Sequence, residues 1–241
     1  MNDPKQPPFP PETLRALSDD FARRSPRELL RWGFDTFGDD MVLGTGFGPS
    51  GIVLTHLVAT LKPDATIFYL DTGLLFPETY ALRDRLEERL GVTFTRVTTE
   101  LSLDEQARRH GPELWRRDPD RCCFLRKVLP LRHFLEGRRA WVTGLRRDQS
   151  TARAGVPLLA WEPAYGVVKL NPLAHWTSED VWSYLQLHDL PYNPLHDRGY
   201  PSLGCLPCTA PVPEGADERA GRWAGFDKTE CGIHVPSHQA A

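Results

Sequence analysis

The sequence contains no apolar run that approaches the roughly 20 residues needed to cross a membrane as a helix. Its first residues are polar and rich in proline, which predicts that the chain does not open with a secretory signal peptide. Neither sign of charge dominates, because 29 basic and 32 acidic residues leave a net charge of −3 at pH 7. This balance gives no reason to expect nucleic acid or a membrane as a partner. We therefore expect a cytoplasmic protein.

Cysteine is scarce, and its number is odd. Five cysteines in 241 residues do not predict a disulfide framework in a protein expected in the cytoplasm. Four of them form two tight pairs, Cys122 with Cys123 and Cys205 with Cys208, whereas Cys231 stands alone. This pattern indicates a metal or cluster site and a separate thiol.

Lysine is also scarce, since arginine outnumbers it 24 to 5. The simpler interpretation of this imbalance is a GC-rich coding bias. A second interpretation is the local use of arginine to bind phosphate or sulfate, because guanidinium binds tetrahedral oxyanions through two parallel hydrogen bonds. This second interpretation applies only where arginines lie in specific loops.

What the sequence does contain is an ordinary globular composition, 40% hydrophobic and 25% charged, with strand-like and helix-like segments in alternation. The strand-like runs lie at residues 41–44, 66–70, 92–97, 140–144 and 167–170. Helices are predicted at residues 13–24, after the capping motif at 25–28, and at 52–61, 77–90, 103–115, 121–136 and 178–188. The alternation predicts an α/β fold, a mostly parallel twisted sheet with helices on both faces.

Three polar loops follow predicted strands: the glycine turn (residues 44–51), the turn at residues 71–73 and the arginine loop (residues 145–153). Ligands of such sheets bind at the carboxyl ends of the strands, so these loops should share one site. The glycine turn could bind phosphate through its backbone amides at a helix N-terminus. It lacks the lysine of a Walker A motif and the spacing of a dinucleotide-binding turn, so a plain strand-to-helix turn fits equally well.

The paired cysteines narrow the choice of metal. Asp118 and Pro119 resemble a helix cap and first helical residue, which would place Cys122 and Cys123 in a first helical turn. Adjacent side chains on a helix diverge by about 100°, which suits one zinc ion poorly and a larger iron–sulfur cluster better. The Cys205-Leu-Pro-Cys208 segment fits a redox pair, half of a zinc site or half of a cluster site. Buried, inert cysteines remain the alternative.

Cys231 has no cysteine near it in the sequence and lies in a polar, glycine-rich tail. A lone thiol with a histidine nearby, here His234, is a candidate nucleophile, and an incidental surface thiol is the alternative. We assign no histidine to a metal, because none has partners at ligand spacing.

Taken together, these motifs resemble the assimilatory adenylylsulfate and phosphoadenylylsulfate reductases. The resemblance runs from about residue 41 to residue 234, and the Cys-Cys plus CxxC set is similar to the subgroup that binds a [4Fe–4S] cluster and prefers adenylylsulfate. The matching segments are Leu70-Asp-Thr-Gly73, Pro77-Glu-Thr-Tyr80, Thr143-Gly-Leu-Arg-Arg-Asp-Gln-Ser150, Gly204-Cys-Leu-Pro-Cys-Thr209, Asp217-Glu-Arg-Ala-Gly-Arg-Trp223 and Glu230-Cys-Gly-Ile-His234.

The resemblance implies an adenine nucleotide alpha hydrolase-like fold and a thioredoxin-dependent reduction of adenylylsulfate to sulfite and AMP. In that reaction Cys231 would be the nucleophile that forms an S-sulfonate. The resemblance further implies a [4Fe–4S] cluster held by Cys122, Cys123, Cys205 and Cys208. The implied substrate-binding residues are Thr45, Gly46, Phe47, Gly48, Ser50, Leu70, Thr72, Lys127, Gly144, Arg146, Arg147, Arg153, Arg219, Arg222 and His234.

On this basis we expect one domain with three parts: a helical lead-in (1–40), an α/β nucleotide-binding reductase region (41–204), and a cluster-binding segment with a mobile catalytic tail (205–241). Thioredoxin or a similar dithiol is the expected protein partner, and a homo-oligomer is left open.

The sequence departs from many relatives at Pro49-Ser50, at Ala210 and after Trp223, and none of these departures changes a cysteine. The alternatives are reduction of phosphoadenylylsulfate by the same chemistry, or a non-catalytic nucleotide-binding module with a structural zinc. An adenylyltransferase of the same fold is a further alternative, but the glycine turn lacks the aspartate of its signature loop.

Overall fold

The computed structural model of the chain describes residues 6–213, 215 and 217–234, so the ends of the predicted lead-in and tail lie outside it. Its strands form one six-stranded sheet in the order β3-β2-β1-β4-β6-β5. All neighbouring strands are parallel except the antiparallel pair β5 and β6. The strands are β1 (Met41–Gly44), β2 (Ile67–Asp71), β3 (Phe94–Thr98), β4 (Ala140–Val142), β5 (Leu159–Glu162) and β6 (Val167–Leu170).

Helices connect the strands and cover both faces of the sheet. On one face, Leu43 packs in a core with residues of the long central helices, and on the other, Val42 packs with Leu131 and Leu135. The helices are α1 (Pro11–Phe21), α2 (Pro26–Phe37), α3 (Pro49–Leu61), α4 (Pro77–Leu90), α5 (Leu103–His110), α6 (Leu114–Arg117), α7 (Pro119–Cys123), α8 (Leu129–Leu135) and α9 (Ser178–Leu187). This architecture confirms the predicted α/β fold.

Local signals set several helix ends. Ser25 and Glu28 form the capping box predicted at the start of α2. Asp118 caps α7 by accepting a hydrogen bond from the backbone amide of Arg121, which places Cys122 and Cys123 in the first turns of that helix, as predicted.

Two predicted helices are interrupted, and one strand was not predicted. The helix predicted at residues 103–115 breaks at Gly111, whose φ of +81° a helix does not tolerate. The helix predicted at residues 121–136 contains a π-turn at Phe124–Val128. Pro130 follows it and has no N–H for a regular helical bond, so the wider turn absorbs the break. The short strand β5 has no clear alternation of apolar and polar residues, so the sequence does not predict it.

None of the described helices is both long and apolar enough to span a membrane. The described part of the tail, residues 217–234, lies against the rest of the fold. Trp223 is 2% exposed, and its backbone amide donates a hydrogen bond to the carbonyl of Cys208. The described part of the tail that was predicted to be mobile is therefore docked in this structure.

Candidate functional site

A cavity of about 260 Å³ opens at the carboxyl ends of β1, β2 and β4, and the tail closes over it. The glycine turn and the arginine loop contribute to its walls, as the parallel sheet predicts, and the tail contributes as well. The turn at residues 71–73, which was predicted to share this site, does not line the cavity. Fourteen sequence-predicted site residues line it: Thr45, Gly46, Phe47, Gly48, Ser50, Leu70, Lys127, Gly144, Arg146, Arg153, Arg219, Arg222, Cys231 and His234. Thr72 and Arg147 do not.

The glycine turn is shaped to receive a ligand. Phe47 has a φ of +59°. Its ring is buried against Tyr69 and Phe94, and this packing fixes the turn to the core. A Cβ built on Gly46 or Gly48 would meet no atom within 4 Å, so open space remains above the backbone. The turn ends at the N-terminus of α3, where backbone amides favour an anion.

Arg146 is buried and already paired. Its guanidinium donates to Ser50 Oγ at 2.6 Å, to Asp148 Oδ1 at 2.8 Å and to Glu218 Oε2 at 3.3 Å. Burial raises the pKa of Glu218 despite the neighbouring arginine. Two carboxylates therefore compensate the charge of Arg146, which joins the start of α3 to the arginine loop and the tail.

Arg147 points away from the cavity. Its Nε donates to the carbonyl of Val156 at 2.8 Å, and the side chain is exposed. The expectation that all three arginines of this loop surround one anion is thus not met. Consecutive residues in the extended start of the loop face opposite sides, which sends Arg146 inward and Arg147 outward.

Arg153 and Arg219 meet at Glu230, a residue that the sequence did not single out. Arg153 forms a two-bond pair with the Glu230 carboxylate at 2.6 and 2.8 Å, and Arg219 reaches it at 3.2 Å. Burial would raise the pKa of Glu230, but the arginines lower it below its usual value. Burial, followed by repulsion from Arg153, lowers the pKa of Arg219 to about 10.

Lys127 and Arg222 supply the other positive charges of the cavity. Burial alone would lower the pKa of Lys127, but the nearby Cys205, Cys231 and Cys123 raise it, so the ammonium stays charged. Arg222 donates to the carbonyl of Leu203 at 3.1 Å and lies 4.6 Å from the ring centre of Trp223. Among the described residues, neither Lys127 nor Arg222 forms a salt bridge.

His234 closes the tail over the cavity. Its ring stacks on Trp141 at a centroid distance of 5.3 Å and an interplanar angle of 18°. Burial, together with Lys169, Arg153 and Arg219, lowers the pKa of His234 well below its usual value, so the imidazole is neutral at pH 7.

The four paired cysteines lie close to one another and near Lys127. Cys122, Cys123 and Cys205 are buried, and Cys208 is half-buried. Thr72, which does not line the cavity, lies here instead, with its hydroxyl 3.2 Å from Cys205 Sγ. Arg126, which sequence reasoning missed, is buried beside them and donates to the Thr72 carbonyl at 2.5 Å and to Gln106 Oε1 at 3.0 Å.

This donor set suits an iron–sulfur cluster better than a single ion. Burial and the neighbouring cysteines raise the pKa of Cys122 to about 12 and that of Cys208 to about 11, so thiolates here need a metal beside them. A cubane, whose irons occupy separate corners, accepts ligands that are spread apart.

Comparison with known proteins supports the family that the sequence motifs indicate. Residues 40–211 match the family model described as the phosphoadenosine phosphosulfate reductase domain. An adenosine 5′-phosphosulfate reductase of Salinibacter ruber is 60% identical over 229 residues, which are 95% of this chain and 91% of that protein. A reductase of the same name from Staphylococcus haemolyticus is 48% identical over 92% of each chain.

Among solved structures, a phosphoadenylyl-sulfate reductase from Candida auris, in a phosphate complex, is similar with a TM-score of 0.73 and 31% identity. The match covers 85% of this chain and 98% of that one. The resemblance inferred from the motifs is confirmed: this chain belongs to the adenosine 5′-phosphosulfate and phosphoadenosine phosphosulfate reductase family.

Proposed function

We propose that this protein reduces adenosine 5′-phosphosulfate to sulfite and AMP, with Cys231 as the nucleophile. The observation that carries the proposal is that Cys231, from the tail, lines the same cavity as the glycine turn and the cationic side chains of Lys127 and Arg222. The names of the relatives at 46–60% identity support the substrate.

The charges of the cavity suit a phosphosulfate. Adenosine 5′-phosphosulfate carries one negative charge on its phosphate and one on its sulfate. Lys127 and Arg222 line the cavity with no carboxylate salt-bridged to them in the described part of the chain, so they are the cations that can meet those charges. The neutral imidazole of His234 can add a hydrogen bond.

The reaction on this geometry has two stages. The Cys231 thiolate attacks the sulfuryl sulfur, the S–O bond to the phosphate breaks, and AMP leaves with the electron pair. The product on the protein is an S-sulfonate of Cys231. Lys127 and Arg222, next to the leaving phosphate, would stabilise the charge that develops there.

In the second stage a reduced dithiol protein of the thioredoxin type attacks Cys231 Sγ, and sulfite leaves with the electrons of the S–S bond. The second thiol of the partner resolves the mixed disulfide, which restores Cys231 and oxidises the partner by two electrons. All five cysteines are free in this structure, as a reducing cytoplasm would keep them.

We further propose that Cys122, Cys123, Cys205 and Cys208 hold a [4Fe–4S] cluster. When bound, the cluster would supply a fixed charge distribution beside the substrate and tie α7 to the CxxC segment. Anaerobically purified protein should contain about four iron and four sulfide per chain. Stoichiometric zinc without sulfide would contradict this and favour the zinc module.

Replacement of the nucleophile tests the proposed function directly. Cys231→Ser should retain iron but form no sulfite from adenosine 5′-phosphosulfate and dithiol under anaerobic conditions. Mass spectrometry of the parent protein, given substrate without reductant, should find one added sulfonate on the peptide that contains Cys231. A sulfonate on another residue would contradict the assignment.

The 3′-phosphorylated nucleotide is the alternative substrate. It carries about two further negative charges, which need cations of their own. The ratio of kcat/KM values for the two nucleotides should favour adenosine 5′-phosphosulfate, and the opposite ratio would overturn the preference but leave the thiol chemistry intact.

A further inference from the structure

Glu230 precedes Cys231 in the chain and holds two arginines of the cavity at once. Its carboxylate pairs with Arg153 through two hydrogen bonds and with Arg219 through one. The three side chains are 11–13% exposed, so the cluster of charges is largely removed from water. A buried pair of this geometry fixes its partners more firmly than an exposed ion pair does.

Glu230 stands behind the cavity and not in its wall. Arg153, Arg219 and Cys231 line the cavity, whereas Glu230 does not. The carboxylate thus holds both arginines from outside the cavity wall, and Arg219 donates a second bond within the tail, to the carbonyl of Thr229 at 2.9 Å. Gln149 supports the same arrangement, because its side-chain oxygen accepts a further bond from Arg153 at 2.5 Å.

We propose that Glu230 is a positioning residue that places Cys231 for attack. The carboxylate ties the tail to the arginine loop one residue before the nucleophile, and consecutive Cα atoms are only about 3.8 Å apart. The same carboxylate holds Arg153 and Arg219 in the cavity wall that Cys231 shares. This inference rests on the proposed function.

The test is the single-turnover rate of S-sulfonate formation on Cys231. Glu230→Gln keeps the size of the side chain but removes its charge, and misplacement of a reacting group by about 1 Å can slow a reaction on the order of 100-fold. We expect the maximal rate to fall at least about tenfold, with less than about a threefold change in the half-saturating substrate concentration. Asp227→Asn, which removes an exposed carboxylate from the same tail, should leave both values within about twofold.

A thiol probe supplies a readout that loss of structure alone would not imitate. In Glu230→Gln the tail loses its ion pairs with Arg153 and Arg219, so Cys231 should react faster with iodoacetamide. The iron content and the thermal unfolding of this variant should match those of the parent protein. Arg153→Met combined with Glu230→Gln should lower the maximal rate no further than the more damaging single change, because the two residues act as one unit.

The outcomes distinguish a failure of the positioning role from a failure of the proposed function. If the parent protein forms no sulfonate on Cys231, the proposed function fails. If the parent reacts and Glu230→Gln reacts at the same maximal rate, the positioning role is wrong. A loss confined to the half-saturating concentration, or losses that multiply in the double variant, would also overturn it.

Discussion

Gly204 shows how a single residue sets the position of a cation. A Cβ at this position would overlap the guanidinium of Arg222, so only glycine lets that side chain lie across the backbone before Cys205. The overlapping atoms belong to the far end of a flexible side chain. A larger residue would therefore displace the guanidinium and leave the fold in place.

Gly204→Ala should weaken substrate binding while stability changes little. The displaced cation of Arg222 would lose its contact with the bound anion, and a lost contact of this kind typically costs about 2–5 kcal/mol. Even the lower figure predicts more than a tenfold rise in the dissociation constant of adenosine 5′-phosphosulfate, measured by calorimetry on the Cys231→Ser background. Gly155→Ala is the matched control, since a Cβ there meets nothing within 4 Å. Equal affinities in the two variants would refute the steric argument.

At the scale of one strand, Asp71 organises the end of β2 beside the cysteines. It accepts hydrogen bonds from the Gly73 amide at 2.8 Å, the Tyr80 hydroxyl at 2.7 Å and Arg96 Nε at 2.6 Å. Burial would raise the pKa of Asp71, but these three bonds together lower it. The carboxylate therefore fixes the turn that carries Thr72, whose hydroxyl contacts Cys205.

Asp71→Asn should lower the free energy of unfolding at pH 7 by about 1–3 kcal/mol, because charge-assisted bonds to a buried group are lost. Since the folded pKa is depressed, the stabilisation is complete above the unfolded value of about 3.9 and disappears as pH falls through the folded value. Urea titrations from pH 7 down to pH 3 should therefore show the parent and the variant converging at acid pH. Asp35→Asn, an exposed change, should leave the curve close to that of the parent.

At the scale of the whole molecule, Arg146 joins three segments that are far apart in sequence. Its bonds reach Ser50 at the start of α3, Asp148 in the arginine loop and Glu218 in the tail. Its neighbour Arg147 belongs to the surface. The two arginines, equivalent in the sequence, thus have separate roles.

Arg146→Ala should destabilise the protein by about 1–3 kcal/mol, because the half-buried carboxylates of Asp148 and Glu218 and the hydroxyl of Ser50 would lose their partner. Arg147→Ala should leave kcat/KM for adenosine 5′-phosphosulfate unchanged within about twofold, since its guanidinium bonds to a carbonyl away from the cavity. Thermal unfolding and steady-state assays on both variants check these expectations. A stable Arg146→Ala, or a marked loss of activity in Arg147→Ala, would reverse the assignment.

The sequence by itself determined the α/β fold, the division of the cysteines into four plus one, and two loops of the site, the glycine turn and the arginine loop. These features depend on periodicity, spacing and local capping, which involve only a few neighbouring residues and can therefore be recognised in the sequence. The resemblance to the reductase family rests on motifs that are also local, such as the segment from Glu230 to His234.

Only the tertiary structure decided which charges remain for a ligand. Arg146, Arg147 and Arg153 look alike in the sequence, yet one is compensated by two carboxylates, one faces solvent and one pairs with Glu230. Asp148 is two residues from Arg146, but Glu218 and Glu230 lie 72 and 77 residues from their partners, and no local pattern reports such pairing. The docking of the described part of the tail and the burial of Arg126 also depend on packing, because burial changes the free energy of a charge far more than sequence neighbours do.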